Sequence, residues 1–123
     1  MFSPSEAGVA IPSGTFNSTQ TQSDQISDLY KGIVVLFNVS ARVDGTYTLE
    51  IDGKDPASLQ YYQILVGTGI VATGMNVYRV YPGLIAVANA TVNDVLPENW
   101  RIKVTAVGAV SGATYSVGYS LIP

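Results

Sequence analysis

The chain has neither cysteine nor histidine. Without thiols there is no disulfide and no thiolate nucleophile. Without imidazole the usual zinc and copper ligand sets fall away, as does any triad that needs a histidine base. Charge is scarce as well. Asp, Glu, Lys and Arg make up 12% of the 123 residues, against about 25% in ordinary soluble chains. Thirty-two Ser, Thr, Asn and Gln residues supply much of the remaining polar surface. So little charge leaves a free monomer modestly protected from self-association. That suits a subunit that lives against neighbours, and it equally suits an extracellular-type β domain. The six cations, Lys31, Arg42, Lys54, Arg79, Arg101 and Lys103, are scattered, and the net charge is −3. Nucleic acid binding draws on clustered cations that displace counterions, so no nucleic-acid partner is expected. The longest apolar run, "IVVLF", is far short of the roughly 20 residues of a membrane-spanning helix. The opening "MFSPSEAGVAIPSG" lacks the positive and apolar regions of a secretory signal. The expectation is a protein made in a cytoplasm, not exported by that route, with no membrane partner.

What is present is strand signal. The length suits one domain with one core. Residues 1–14 carry Pro4, Gly8, Pro12 and Gly14 and read as an extended N-terminal arm. It is either a frayed end or a segment laid on a neighbouring subunit, where Phe2, Val9 and Ile11 would be buried. Residues 15–123 form the predicted domain. "TFNSTQTQ" is a polar edge strand. "KGIVVLFNVSA" is apolar on consecutive residues, the pattern of a strand buried on both faces. "TYTLEID", "YYQILVG", "NVYRVY", "WRIKVTAV" and "ATYSVGYSLI" supply further strands, most of them alternating, and a short "GIVAT" follows the second of these. "QSDQISDLY" is read as one helical turn, and 84–96 stays unassigned. The last two strands, joined through "GAVSG", are expected to pair as a hairpin. Seven to nine short strands about ten residues apart indicate an all-β fold: a single antiparallel β-sandwich, jelly-roll-like or Ig-like, with a small barrel as the competing closure.

Candidate chemistry is sparse. In "IDGKDPASLQYYQIL", Asp52 and Asp55 bracket Gly53. An EF-hand loop needs a bidentate Glu twelve positions in, and the twelfth residue from Asp52 is Gln63. A hairpin turn with its carboxylates in water is the favoured reading. A surface calcium site completed by Asp44 or Asp94 stays open. Of eight tyrosines, Tyr61, Tyr62, Tyr78 and Tyr81 are the candidate contact residues, because tyrosine joins an apolar body to a polar tip. Core packing is the competing reading. Tyr61 and Tyr62 must point to opposite faces. Trp100 is read as a core plug. Three Asn-X-Ser/Thr matches, at Asn17, Asn38 and Asn89, are ordinary chance in so Asn/Ser/Thr-rich a chain. No catalytic residue, cofactor or metal is expected.

The order of segments "YKGIVVLFNVSA", "IDGKDPASLQYYQIL", "VYRVYPGL", "NDVLPENWRIKVT" and "TYSVGYSLI" resembles a family of small virion structural proteins encoded among the head genes of tailed bacteriophages. The resemblance spans about residues 29–122. Leu59-Gln60 and Glu98-Asn99 depart from the family pattern in predicted turns. It implies a non-enzymatic capsid decoration protein on the outside of the phage head. Its partners would be the major capsid protein and itself, as a homotrimer, and its place the virion, after synthesis in the host cytoplasm. A glycan-recognising tail or surface adhesin, or a head–tail joining or tail subunit, is the alternative.

Overall fold

Alternation decides the architecture. In Gly32–Arg42 the side chains of Ile33, Val35, Phe37 and Val39 are buried on one face. Tyr47, Leu49 and Ile51 do the same in Thr46–Lys54, and Trp100, Ile102 and Val104 in Asn99–Val107. Each strand has one apolar face, so two sheets must close on each other. The computed structural model describes residues 6–123 and is a two-sheet β-sandwich. Its strands are β1 Glu6–Phe16, β2 Gln20–Thr21, β3 Gln25–Ile26, β4 Gly32–Arg42, β5 Thr46–Lys54, β6 Tyr61–Val66, β7 Gly74–Val80, β8 Thr91–Val92, β9 Asn99–Val107 and β10 Ala113–Ile122. One sheet runs β1-β10-β4-β7-β8. The other runs β2-β9-β5-β6, with β3 also on β9. All pairings are antiparallel except the short β7–β8 contact. The predicted count of seven to nine strands falls short of these ten because β2, β3 and β8 are two-residue pairings with no periodic signal.

Two aromatic groups fill the ends of the core. Tyr115 is ringed by Phe16, Phe37 and Tyr47 at centroid distances of 5.0, 5.2 and 5.7 Å. Trp100 meets Tyr119 edge-on at 5.2 Å and is the expected core plug, fully buried. Burial drives the Tyr115 hydroxyl well above its ordinary pKa.

Several expectations are corrected. Residues 6–14, expected as an arm, belong to edge strand β1 and pair with β10. Register shifts between Val9 and Ile11 and between Ile11 and Gly14 carry the chain past Pro12, which has no N–H for a ladder. Gly8 lies directly under the Tyr119 ring, where a Cβ would stand 2.5 Å from it. Phe2 lies outside the described residues.

The expected hairpin of the last two strands is also absent: β9 and β10 sit in opposite sheets. The Asp44 carboxylate explains why. It accepts the backbone N–H groups of Val110, Ser111 and Gly112 from 2.8 Å upward, holding the loop in an arch between sheets. Gly108 and Gly112 supply the positive φ values, 69° and 92°, that the arch requires. These amides hold Asp44 below the usual carboxylate range.

Residues 22–30 form no helical turn. Gln22 is buried and clasps Ile102, its Oε1 accepting the Ile102 N–H at 3.1 Å while its own N–H bonds the Ile102 carbonyl at 2.9 Å. "GIVAT" is reduced to a single bridge between Ile70 and Tyr47. The strand β4 buries one face only, and Leu36 is 38% exposed on the other.

Candidate interaction surfaces

The stretch 51–65 builds one end of the outer face of the β2-β9-β5-β6 sheet. Gly53 is not a turn residue. It lies within β5, paired with Trp100 and Tyr62, and an added Cβ there would come within 2.4 Å of the Tyr62 ring and 2.8 Å of Pro97. Glycine is needed for that close approach of the ring to the strand. The turn itself is Asp55–Gln60. Asp55 Oδ1 accepts the Ala57 N–H at 3.0 Å and Oδ2 the Ser58 hydroxyl at 2.7 Å, which holds its pKa below the ordinary value. Leu59 takes a φ of 62° to close it.

Asp52 was expected to face water, and here the structure differs. It points to the polar face yet is 1% exposed. Arg101, directly opposite on β9, covers it with an ion pair of 3.0 Å from Nε to Oδ2. Tyr61 then lies on the guanidinium, with Arg101 Cζ 3.4 Å from the ring centroid, and donates its hydroxyl hydrogen bond to Asp24. Lys54 Nζ pairs with the same Asp24 at 2.7 Å. This contact, with the Tyr61 bond second, lowers the Asp24 pKa and raises that of Lys54. Glu50 lies two residues before Asp52 on the same face of β5. The neighbouring Asp52 carboxyl and partial burial push Glu50 up to about 7. Among the described residues no three Asp or Glu side chains gather as a cation site.

Beside this cluster an open groove of about 730 Å³ is lined by Lys54, Asp55, Pro56, Tyr62, Pro97, Glu98 and Asn99. Tyr62 is 49% exposed there. Tyr61 and Tyr62 therefore do face different ways, as strand geometry requires.

The outer face of the other sheet is of a different kind. Its outward rows are Ala7–Ser120–Val34–Arg79, Val9–Gly118–Leu36–Val77 and Ser116–Asn38–Met75. Arg79 is the single charged side chain in them. Val9 is 66% and Met75 57% exposed.

The expected contact residues do not form one surface. Val9 is on this apolar face, while Tyr61 and Tyr62 are at the end of the opposite sheet. Ile11 and Tyr78 are corrected to core residues, 5% and 4% exposed, because each points inward from its strand. Tyr81 is half-buried and donates a hydrogen bond of 2.7 Å to the Pro123 carbonyl, fastening the chain end. Leu36, Met75 and the Glu50–Asp52–Arg101 group were not singled out from sequence. The signal for the first was "IVVLF" itself, with Leu36 at an outward position.

No protein-family model and no curated protein sequence matches this chain. Among solved structures it is similar to the crystal structure of the SPBc2 prophage-derived protein YomS, with a TM-score of 0.54 over 98% of this chain and 97% of that one, at 8% sequence identity. At that identity the likeness establishes a shared fold alone.

Proposed function

We propose that the protein is a non-enzymatic structural subunit of a bacteriophage particle, and that its role is decoration of the capsid exterior. It would bind the major capsid protein, associate with itself as a trimer, and stabilise the shell by bridging neighbouring subunits. It would be made in the host cytoplasm and reside on the virion. The observation that carries this reading is the apolar outer face of the β1-β10-β4-β7 sheet, with Val9, Leu36, Val77 and Met75 around a single charge. Clustered exposed apolar side chains of this kind are where contact surfaces are found. The fold shared with a prophage-derived protein is consistent with it, as is the segment pattern in the sequence. Many modest contacts per shell add to a large total, which removes the need for a single tight site.

The test is the copy number of the chain in purified particles of the phage that encodes it, by quantitative mass spectrometry against the major capsid protein. A ratio near one, or a simple fraction of it, supports decoration. A handful of copies per particle moves the protein to the tail or the joining region. Absence from the particle ends the structural reading.

The groove beside Tyr62 favours a second reading, a glycan-binding adhesin module. An exposed ring flanked by Asp55, Glu98 and Asn99 combines a stacking surface with hydrogen-bonding groups, the pattern of a small-ligand site. Sugar binding lost on Tyr62→Ala would support it.

A further inference from the structure

The Glu50–Asp52 pair does something that neither reading uses. Asp52 is buried, its Oδ2 is taken by Arg101, and its Oδ1 has no hydrogen-bond donor among the ordinarily protonated groups around it. A buried acceptor left without a donor is costly. The Glu50 carboxyl stands two residues before Asp52 on the same face of β5, and it donates only when it carries a proton. We propose that a protonated Glu50 carboxyl supplies the donor that the buried Asp52 Oδ1 lacks, forming a pH-sensitive clasp on the β5–β6 edge, closed in mildly acidic solution and released above neutrality.

The surroundings fit a proton better than a metal ion. Lys103 on β9 stands opposite Glu50, and Arg101 stands opposite Asp52. From β6, Gln63 donates to Glu50 Oε1 at 2.9 Å, and Val66, opposite Glu50, is apolar. From β2, Thr21 lies opposite Lys103 and brings no charge. Lys54 and Asp24 neutralise each other beside Tyr61. Two carboxylates already face two cations, so a divalent ion would meet repulsion, whereas one proton removes one of two neighbouring like charges. When the proton leaves, Glu50 has Lys103 to turn to, and Asp52 loses its donor.

The direction follows from linkage. A carboxyl whose pKa is raised on folding binds its proton more tightly in the native state. Its stabilisation is fully present below the unfolded value of 4.5 and is lost progressively as pH rises to the folded value of about 7, above which the profile levels off. The absence of histidine makes this readable. Asp24, Asp44 and Asp55 are shifted downward, so their contributions change only in stronger acid. Between about pH 5 and pH 8 the other ordinary titrating group is the α-amino terminus.

The experiment is thermal unfolding of the full chain from about pH 5 to pH 8, for the parent and for Glu50→Gln, whose amide is a permanent donor. The melting temperature of the parent should fall as pH rises towards about 7 and level off above it. Glu50→Gln should be nearly flat and more stable than the parent at the alkaline end. There its β6 amides should also exchange more slowly than the parent's at the same pH. The ¹³C signal of the Glu50 carboxyl should titrate near neutrality. A flat parent profile, a slope retained in Glu50→Gln, or a Glu50 midpoint at the ordinary carboxyl value each overturns the proposal. Calcium addition is the control: a rise in melting temperature with millimolar calcium that Glu50→Gln abolishes would make the pair a cation site instead, and would equally overturn it.

Discussion

The two outer faces of the sandwich are both built from alternating antiparallel strands and solve opposite problems. On the β9-β5-β6 side, Glu50, Asp52, Lys54, Arg101 and Lys103 alternate in sign across the strands, and Asp24 joins them from the adjoining loop. Asp24 pairs with Lys54 and Asp52 with Arg101, Lys103 stands opposite Glu50, and Tyr61 is drawn into the network by stacking and hydrogen bonding. On the β1-β10-β4-β7 side, Ser116, Gly118 and Ser120 are small, and Val9, Leu36 and Met75 stand beside them exposed among the described residues. The first face pairs most of its charges internally and should serve the fold. The second is unsatisfied internally and should serve association.

The largest effect that would break this comparison is on the charged face. Arg101→Ala leaves the buried Asp52 carboxylate without its cation. Removing one member of a buried pair costs about 3–5 kcal/mol; the Arg101 side chain is 19% exposed, which places the expected loss toward the lower end, read by urea denaturation. The double change Asp52→Leu with Arg101→Met removes both charges and should recover most of the loss. If Arg101→Ala were neutral, the charged face would not be a stabilising device.

A smaller effect lies where the two sheets are tied together. Asp44→Ala removes the acceptor for three loop amides. The melting temperature should drop by less than for Arg101→Ala. The Asp44 pKa is lowered in the folded state, so its contribution is present above the unfolded value of about 3.9 and lost as pH falls below it. The variant should therefore lose part of the parent's acid sensitivity, which a pH series of melting curves would show.

The sequence carries these features unequally. Alternation in β5, β9 and β10 is local, and it puts Tyr47 with Ile51, Ile102 with Val104, and Tyr115 with Val117 on one side of their strands, the side the structure buries. The apolar run of β4 was ambiguous for a physical reason. Consecutive apolar residues look the same whether the second face meets the protein's own core or is left open, and Leu36 is open. "GAVSG" is equally compatible with a hairpin turn and with an arch, and Asp44, distant in sequence, selects the arch. The Asp52–Arg101 pair joins residues 49 apart. Neither side chain has a local signal for it, since each occupies an outward position that water could equally fill. Strand order was beyond reach for the same reason: periodicity reports which face is apolar, not which neighbour lies alongside.

The smallest expected effect on stability is the one that sharpens the comparison most. Val9 and Met75 are exposed on the apolar face, and threonine suits a strand position. Val9→Thr with Met75→Thr should thus change folding stability by no more than about 0.5 kcal/mol, as surface substitutions commonly do. Association should respond very differently, because the change places hydroxyls where an apolar contact must close without water. Binding to purified particles that lack the protein, read as bound copies per particle at increasing concentration, should weaken sharply while the urea midpoint stays in place. Tyr61→Phe on the opposite face is the counterpart. It removes the hydroxyl bond to Asp24 but keeps the ring on Arg101, and it should leave particle binding unchanged. If the threonine pair bound particles with parental affinity and Tyr61→Phe did not, the assignment of the two faces would be reversed.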